Sequence, residues 1–306
     1  MIAILVITAF HSHAAWPPRR IHVDLLSRLS LAELWPWQAE LAVLNRMWNE
    51  CGASFLDFNA GDATVTVNIA DLPALWSVID PRFAEKRGFS LATLNLDHLV
   101  KLARSQSFAK AYAAQDFVVA DGNPIVWLSK LAGRPVSLMP GSDLVVPLAQ
   151  RAAQAGVGVA LLGSTPEALA ASAQALERAA PGLCVVSQIA PPFGFDPEGD
   201  EAKAILAELA TSGAGLCFLA LGAPKQEQLA ALGRSLAPSV GFVSIGAGLD
   251  FLAGTQKRAP QIIRTLALEW AWRLATNPMR MFARYASCAA ILPGQAMAAL
   301  RQRLRR

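Results

Sequence analysis

Charged residues are scarce in this sequence, and no apolar run is long enough to cross a membrane. Charged side chains make up 16% and hydrophobic ones 54% of the 306 residues, which argues against a disordered chain and predicts a large core. The first ten residues, MIAILVITAF, are too few to span a bilayer, and the run ASCAAILPGQAMAAL is broken by Pro293 and Gly294. We therefore predict no transmembrane helix. No basic segment precedes the first run, so a cleaved secretory signal is not expected.

Patterns that hold disulfides or metals are also missing. The four cysteines are far apart and form no CxxC pair, which predicts reduced thiols in a cytoplasmic protein. His11 and His13 lie in one short run but have no evident third ligand. No DxD pair occurs, so the usual carboxylate clamp for a metal-bound diphosphate is absent. We predict no metal and no cofactor, and we expect cationic side chains and helix dipoles to bind any diphosphate.

Positive charge is concentrated at the C-terminal end. Residues 255–306 contain ten Lys and Arg against one acid, Glu269, a net charge of +9, so the rest of the chain carries −5 of the total +4. A polarised basic tail predicts an anionic partner, whether a lipid surface, a nucleic acid or bound phosphates.

From Thr64 onward, short β-rich runs alternate with Ala- and Leu-rich stretches of helical spacing. This alternation predicts an α/β fold, a Rossmann-like and mostly parallel sheet with helices on both faces. We predict strands at Val65–Ile69, Phe89–Thr93, Phe117–Ala120, Gly158–Leu162, Cys184–Ile189, Leu216–Leu221 and Gly241–Ile245.

Three parts of the chain are predicted. Residues 1–60 form a helical N-terminal extension without evident site chemistry, residues 61–258 form the α/β core, and residues 259–306 form a helical, basic C-terminal appendage. Within the appendage, Asn277-Pro278 is expected to end one helix and begin the next.

Polar residues and glycines follow several of the predicted strands. Ligands of parallel α/β sheets bind beyond the carboxyl ends of the strands, so these residues are the candidates for a site. They are Thr93, Asn95, Asp121, Gly122, Gly163, Ser164, Gly222, Lys225, Gln226 and Glu227.

Each of these turns has two interpretations. GSTPE, residues 163–167, offers backbone N–H groups to a phosphate or is an ordinary turn with a helix cap. In GAPKQE, Lys225 faces a phosphate and Gln226 a ligand amide or hydroxyl, or the two merely begin a helix. Asp121 is a general base whose pKa is raised by burial, or it caps the following helix. Asp250 is a rival carboxylate but is interpreted as a turn residue.

The stretch LEWAWRLATNPMRMFARY, residues 268–285, combines arginines with aromatic residues. Trp270 belongs to an apolar stripe at helical spacing, for which core packing is a sufficient explanation. Arg280 and Arg284 share one face of the next helix. Together with Arg273, they are predicted to form a basic lid over bound diphosphates.

Several of these segments, in this order, resemble the WecG/TagA/CpsF glycosyltransferase family. The resemblance spans roughly residues 64–286. It rests on TLN at Thr93–Asn95, VADG at Val119–Gly122, PGSD at Pro140–Asp143, GAPKQE at Gly222–Glu227, GAGLDFLAGTQKRAP at Gly246–Pro260 and LEW..RL...P.R...RY from Leu268.

The resemblance implies an inverting, metal-independent enzyme of surface-polysaccharide or teichoic-acid assembly. Such an enzyme moves a sugar from a UDP-sugar to a sugar on a polyprenyl diphosphate, at the cytoplasmic face of the cell membrane. Asp121 then matches the catalytic base, Thr93 and Asn95 lie near the sugar pocket, and Gln226 supplies a pocket amide. The residues that match arginines closing over the diphosphate are Arg258, Arg273, Arg280 and Arg284.

Two other functions compete with this interpretation. A nucleotide-dependent oxidoreductase is disfavoured because Phe251 stands where a GxGxxG motif needs glycine. A non-enzymatic protein that binds membrane surfaces through its basic tail is the second alternative, and nucleic acid is not the expected partner. The transferred sugar is left open between N-acetylmannosamine, its uronic acid and glucose, as are the acceptor and assembly into a homo-oligomer.

Overall fold

The computed structural model describes residues 56–305 except residues 257 and 266. The side chains of residues 261, 264 and 280 also lie outside the described part. Residues 1–55 of the predicted extension thus lie outside the described part. The strands are β1 (Leu56–Ala60), β2 (Ala63–Val67), β3 (Ser90–Leu94), β4 (Phe117–Ala120), β5 (Gly158–Gly163), β6 (Val185–Ile189), β7 (Ala214–Ala220) and β8 (Gly241–Ser244). Six of them form a parallel sheet of order β4-β3-β8-β7-β5-β6.

Helices connect these strands and cover the sheet. They are α1 (Leu72–Ala84), α2 (Leu96–Leu102), α3 (Gln106–Ala113), α4 (Asn123–Leu131), α5 (Gly141–Gln154), α6 (Pro166–Ala179), α7 (Asp200–Thr211), α8 (Lys225–Leu236), α9 (Gly248–Leu252), α10 (Gln261–Thr265), α11 (Glu269–Thr276) and α12 (Pro278–Leu304).

The side chains of each central strand alternate between two cores. Along β7, Leu216 and Phe218 belong to the core beneath α1, α5 and α6, whereas Cys217 and Leu219 belong to the core beneath α7 and α8. A strand buried on both sides is an unbroken apolar run, because neither face meets water. The predicted α/β fold with helices on both faces of a mostly parallel sheet is confirmed.

The first predicted strand belongs to a separate hairpin. The run predicted at Val65–Ile69 is β2, which pairs antiparallel with β1 across the turn at Gly61 and Asp62. Gly61 has φ of +63°, a conformation that glycine adopts without strain. The hairpin therefore forms its own antiparallel pair. The end of the predicted run nevertheless reaches the parallel sheet, because the N–H groups of Asn68 and Ile69 donate to the Val118 carbonyl of β4 at 3.2 and 3.3 Å.

Helix α12 packs against the hairpin and into the core. Cys288 and Ala299 are buried among side chains of β1, α2 and α4. The Gln295 side chain donates to the Asn59 carbonyl at 2.5 Å. Gln302 donates to the Asp57 carbonyl at 2.5 Å and accepts from the Asp57 N–H at 3.3 Å. The C-terminal half of this helix is thus anchored to the body of the protein.

The predicted bend at Asn277-Pro278 separates α11 from α12. Asn277 occupies the N-cap position with φ of −143°, but its side chain makes no capping hydrogen bond. Proline in the first turn fixes the start of the helix without such a cap. Among the helices of residues 56–305, none is both long and apolar enough to cross a membrane.

The anchoring of α12 can be tested by placing a charge on its buried face. Ala299→Asp is expected to lower the free energy of unfolding by about 3 kcal/mol, because it buries an unpaired carboxylate. Urea denaturation followed by circular dichroism measures the loss. Ala290→Asp, an exposed position on the same helix, is the matched control. Equal stability of the two variants would contradict the packing.

Candidate active site

Asp121 lies at the point where β3 and β4 end side by side. Its backbone N–H donates to the Leu94 carbonyl at 2.7 Å, which fixes the residue to the neighbouring strand. Gly122 follows with φ of +104° and occupies the N-cap position of α4, a helix without a side-chain cap. The alternative that Asp121 caps this helix is therefore wrong.

The carboxyl group of Asp121 is poised to exchange a proton near neutral pH. Its pKa is raised to about 6, chiefly by burial and to a smaller extent by the charges of Glu269 and Asp143. A hydrogen bond with Asn95 and the positive charge of Arg273 act in the opposite direction. Burial outweighs them, because removing a carboxylate from water disfavours its charged form. A group with such a pKa can accept a proton and release it again at physiological pH.

Buried polar groups orient Asn95 beside Asp121. The side-chain oxygen of Asn95 accepts the His98 N–H at 3.0 Å and so caps α2, which leaves the amide nitrogen to donate to Asp121. His98 Nδ1 lies 3.0 Å from the Tyr112 hydroxyl, and the His98 ring also bonds to the backbone of Thr93. Burial lowers the pKa of His98 to about 3, so this ring is neutral.

Two of the predicted arginines act electrostatically on Asp121, and each already has an acidic partner. Arg258 pairs with Asp143 and lies over the Phe251 ring, 5.7 Å from its centroid. Arg273 Nε donates to Glu269 at 3.0 Å. The charge of Asp121 acts on Arg258 and that of Arg273 acts on Asp121. Arg258, which precedes α10, and Arg273 on α11 therefore place positive charge near the carboxyl group.

Arg284 lies on α12 and reaches an acidic residue of the neighbouring helix α2. It pairs with Asp97 at 3.1 Å, and Lys101 pairs with the same carboxylate oxygen at 2.9 Å. The Nε atoms of Arg258 and Arg284 are buried without a hydrogen-bond partner in the described part. The surrounding protein encloses both donors, so a ligand could reach them only after these side chains move. The side chain of Arg280 lies outside the described part.

In the PKQE segment, the side chain of Gln226 forms its hydrogen bonds within the protein. The Gln226 side chain is 2% exposed. Its oxygen accepts the Gly246 N–H at 3.1 Å, and its nitrogen donates to Glu227 at 2.8 Å. A substrate would have to compete with these bonds, so the assignment of Gln226 as a pocket amide stays a prediction. Glu227 is fully buried, and burial raises its pKa to about 7.

The turn after β5 is fixed by close packing and by a carboxylate. A Cβ on Gly163 would lie 2.5 Å from the Ala220 carbonyl oxygen, so only glycine fits there. The Ser164 hydroxyl donates to Asp250, which also accepts from the Gln256 side chain at 2.7 Å. Asp250 thus has a structural role, as predicted.

The N-terminus of α6 is already capped within the chain. Thr165 accepts the Ala168 N–H at 3.3 Å, which confirms the predicted cap. The Glu167 carboxylate bonds to its own backbone and to Thr165, and these bonds lower its pKa. The phosphate contact predicted for Gly163 and Ser164 therefore stays a prediction.

A cavity of about 290 Å³ opens beside this turn. Lys225 is at its rim but donates to the Phe195 carbonyl at 2.6 Å. The turn residue Gly222, with φ of +72°, lies next to the lining residue Leu221. The cavity is lined by Gly163, Ser164, Ala220, Leu221, Lys225 and residues 191–195. The predicted site residues thus form one group around Asp121 and another around this cavity, and Gln226 and Glu227 are buried in the first turn of α8.

Comparison with known families decides the class of this protein. A model described as the glycosyl transferase WecG/TagA/CpsF family matches residues 35–306. The chain belongs to this family. It is therefore a glycosyltransferase, and the oxidoreductase and the non-enzymatic membrane binder are no longer competing identities. This match begins at residue 35, whereas the resemblance in sequence motifs begins only at about residue 64.

A curated relative is similar over most of its length. It is the N-acetylglucosaminyldiphosphoundecaprenol N-acetyl-beta-D-mannosaminyltransferase of Bacillus spizizenii, 28% identical over 197 residues, which cover 64% of this chain and 74% of the relative.

Sequence reasoning missed several residues of this glycosyltransferase site. His98 and Tyr112 lie behind Asn95, and the acidic partners Asp97 and Asp143 lie on helices distant in sequence from the arginines they hold. The only available signal was the capping position of Asn95, which makes a turn of α2 part of the site. In the described part of the chain, no three His, Cys, Asp or Glu side chains are grouped as metal ligands.

The buried state of Glu227 predicts a pH-dependent stability. Its pKa is about 7 in the folded protein against 4.5 in the unfolded chain. Its contribution is therefore present below pH 4.5 and is lost as the pH rises through 7, by on the order of 3 kcal/mol. Relative to Glu227→Gln, the wild type should lose this free energy of unfolding between these pH values.

Urea denaturation at several pH values measures this difference. The matched control is Glu201→Gln, an exposed glutamate on α7, which should follow the wild type. A difference that stays constant across this pH range would contradict the prediction, because it would show that Glu227 has the same pKa in the folded and the unfolded chain.

Proposed function

We propose that this glycosyltransferase moves a hexose from a UDP-sugar to a sugar on a polyprenyl diphosphate, with inversion and without a metal. The observation that carries the proposal is the partly buried carboxyl group of Asp121 at the ends of β3 and β4, which lies beside Asn95 and near two arginines. The name of the Bacillus relative supports a polyprenyl-diphosphate acceptor and favours N-acetylmannosamine as the sugar. The uronic acid of N-acetylmannosamine and glucose remain alternative sugars, which the assay with three UDP-sugars below distinguishes.

Asp121 acts as the base in this reaction. The acceptor hydroxyl oxygen forms a bond to the anomeric carbon as the bond from that carbon to the UDP oxygen breaks on the opposite face. The hydroxyl proton passes to a carboxylate oxygen of Asp121, and the bonding electron pair leaves with UDP. One carboxylate suffices for an inverting transfer, whereas a glycosidase needs two. Asn95 orients this carboxylate, and Thr93 lies on the strand below the sugar.

The leaving diphosphate needs positive charge. Arg258 and Arg273 are near enough to Asp121 for their charges to act on one another, and Arg258 keeps a buried donor without a partner. In the proposed reaction, the diphosphate binds these arginines as their carboxylate partners are displaced. Arg280 and Arg284 add to this charge from α12. Stabilising charge that develops in the transition state lowers the barrier directly.

The donor extends along the edge of the sheet. Asp121 follows β4 and the cavity lies at the ends of β5 and β7. From β4 to β7 there are three strand spacings, about 14 Å in all, a span suited to an extended sugar nucleotide. The sugar then lies near Asp121 with the nucleoside toward Gly163, Ser164 and Lys225. The turn at Gly246, which Gln226 supports, lies between them.

The C-terminal appendage, residues 259–306, faces the inner surface of the cell membrane in this proposal. Large apolar side chains on α10 to α12 are exposed beside several arginines, and an exposed apolar patch marks a surface for binding. These side chains are Ile262, Leu268, Trp270, Met279 and Phe282. A polyprenyl acceptor is embedded in the membrane, so this surface would bring Asp121 to it.

Asp121→Asn is expected to lower kcat by about 100-fold or more, because a positioned base contributes that much. In the wild type, kcat/KM should rise with pH through about 6, because only the ionised form of Asp121 accepts a proton. Initial rates of radiolabelled sugar transfer between pH 5 and 8 measure both effects. Asp80→Asn, which changes a surface ion pair with Arg151, is the control and should keep the wild-type profile. Retained turnover in Asp121→Asn would exclude it as the base.

The donor and the metal requirement are tested together. The wild type is incubated with UDP-N-acetylmannosamine, its uronic acid or UDP-glucose, and with a short-chain polyprenyl diphosphate carrying N-acetylglucosamine. One donor should add a hexose to the acceptor, seen as a mass shift, at the same rate with and without EDTA. No transfer from any donor would contradict the proposed reaction, and loss of activity in EDTA would contradict metal independence.

A further inference from the structure

A fully exposed phenylalanine stands at the rim of the cavity. Phe193 follows two prolines in the loop between β6 and α7, and its side chain is not packed against the protein. Exposure of a phenylalanine ring to water costs about 1.5–3 kcal/mol relative to burial. This unfavourable exposure of Phe193 occurs at the mouth of a cavity and not on an open surface.

The loop holds this ring in place. Pro191 and Pro192 restrict the backbone before it, and the Phe195 N–H donates to the Pro192 carbonyl at 3.1 Å. The Phe195 side chain is buried in the core, and its carbonyl accepts from Lys225 at 2.6 Å. The loop is thus tied to α8 and to the core on the C-terminal side of Phe193. An aromatic ring presented on a restrained backbone loses little entropy when a ligand covers it.

The cavity below Phe193 suits a flat, uncharged ring. Ala220 and Leu221 line it with apolar surface, and the turn at Gly163 and Ser164 provides polar backbone groups. The ammonium group of Lys225, the one charged side chain that lines it, is bonded to a carbonyl of the loop. A base finds an apolar wall and hydrogen-bonding groups for its edge, among them the Lys225 ammonium, which has three N–H donors and gives one to the Phe195 carbonyl.

We propose that Phe193 is an aromatic platform on which the pyrimidine base of the donor nucleotide stacks. The inference rests on the proposed function, which sets the sugar at Asp121 and leaves the other end of the donor at this cavity. Every base offers a π-face to an aromatic side chain, so the contact secures the nucleoside, while the groups at the cavity edge distinguish uracil. The platform raises affinity for the donor and takes no part in the chemical step.

Calorimetric titration with UDP tests the platform. Phe193→Ala should raise the dissociation constant for UDP on the order of tenfold, and Phe193→Trp should restore it to about the wild-type value. In turnover assays, Phe193→Ala should raise KM for the UDP-sugar by a similar factor and leave kcat unchanged. Leu236→Ala, which removes an exposed apolar side chain at the far end of α8, should behave as the wild type. Thermal denaturation confirms that all variants are equally folded.

The outcomes separate the platform from the proposed reaction. Wild-type affinity for UDP in Phe193→Ala, a failure of Phe193→Trp to restore binding, or the absence of UDP binding in the wild type would each overturn the platform. UDP binding that depends on Phe193, without transfer from any UDP-sugar, would uphold the platform and overturn the reaction. If the wild type and the Phe193 variants all transfer sugar from a UDP-sugar and bind UDP with equal affinity, the reaction would be upheld and the platform overturned.

Discussion

The pairing of opposite charges around Asp121 governs how this site can act. Arg258 is held by Asp143 and Arg284 by Asp97, so the basic C-terminal part of the chain is bound to acids of the α/β core. This explains why the sequence divides its charge so unequally. Buried charges without partners are costly, and these pairs keep the cations assembled in the absence of ligand. In the proposed reaction, the diphosphate replaces one anionic partner of the arginines with another, which costs less free energy than assembling the cations anew.

The sequence predicted the fold and the position of Asp121 because the signals for both are local. An apolar run followed by a polar turn identifies a buried parallel strand and its carboxyl end at the same time. Asp121 after β4 and Ser164 after β5 were found in this way. Thr165 before Pro166 and the bend at Asn277 are equally local, because capping and proline geometry depend on adjacent residues.

Partners distant in sequence could not be predicted. Gln226 was expected to face a ligand, but it bonds to Gly246, twenty residues away, because β8 brings that backbone beside α8. Strand β1, which pairs with β2, precedes Thr64, the residue at which the alternating pattern of strands and helices begins. The loop that contains Phe193 has no periodic pattern, so the sequence does not show that Lys225, thirty residues after Phe195, bonds to the backbone of this loop. Each of these contacts depends on the order of strands in the sheet, which composition and spacing do not specify.

The two glutamines of α12 have a consequence for contacts between copies of the chain. Gln295 and Gln302 occupy the outer carbonyl groups of Asn59 and Asp57 on β1, the edge at which another strand could otherwise add. A strand from a second copy would first have to displace the helix and give up the burial of Cys288 and Ala299. Self-association by sheet extension is therefore closed at this edge. Copies of this chain that meet here must do so through side chains of the helix, and the hairpin is protected from the backbone pairing that leads exposed strands to aggregate.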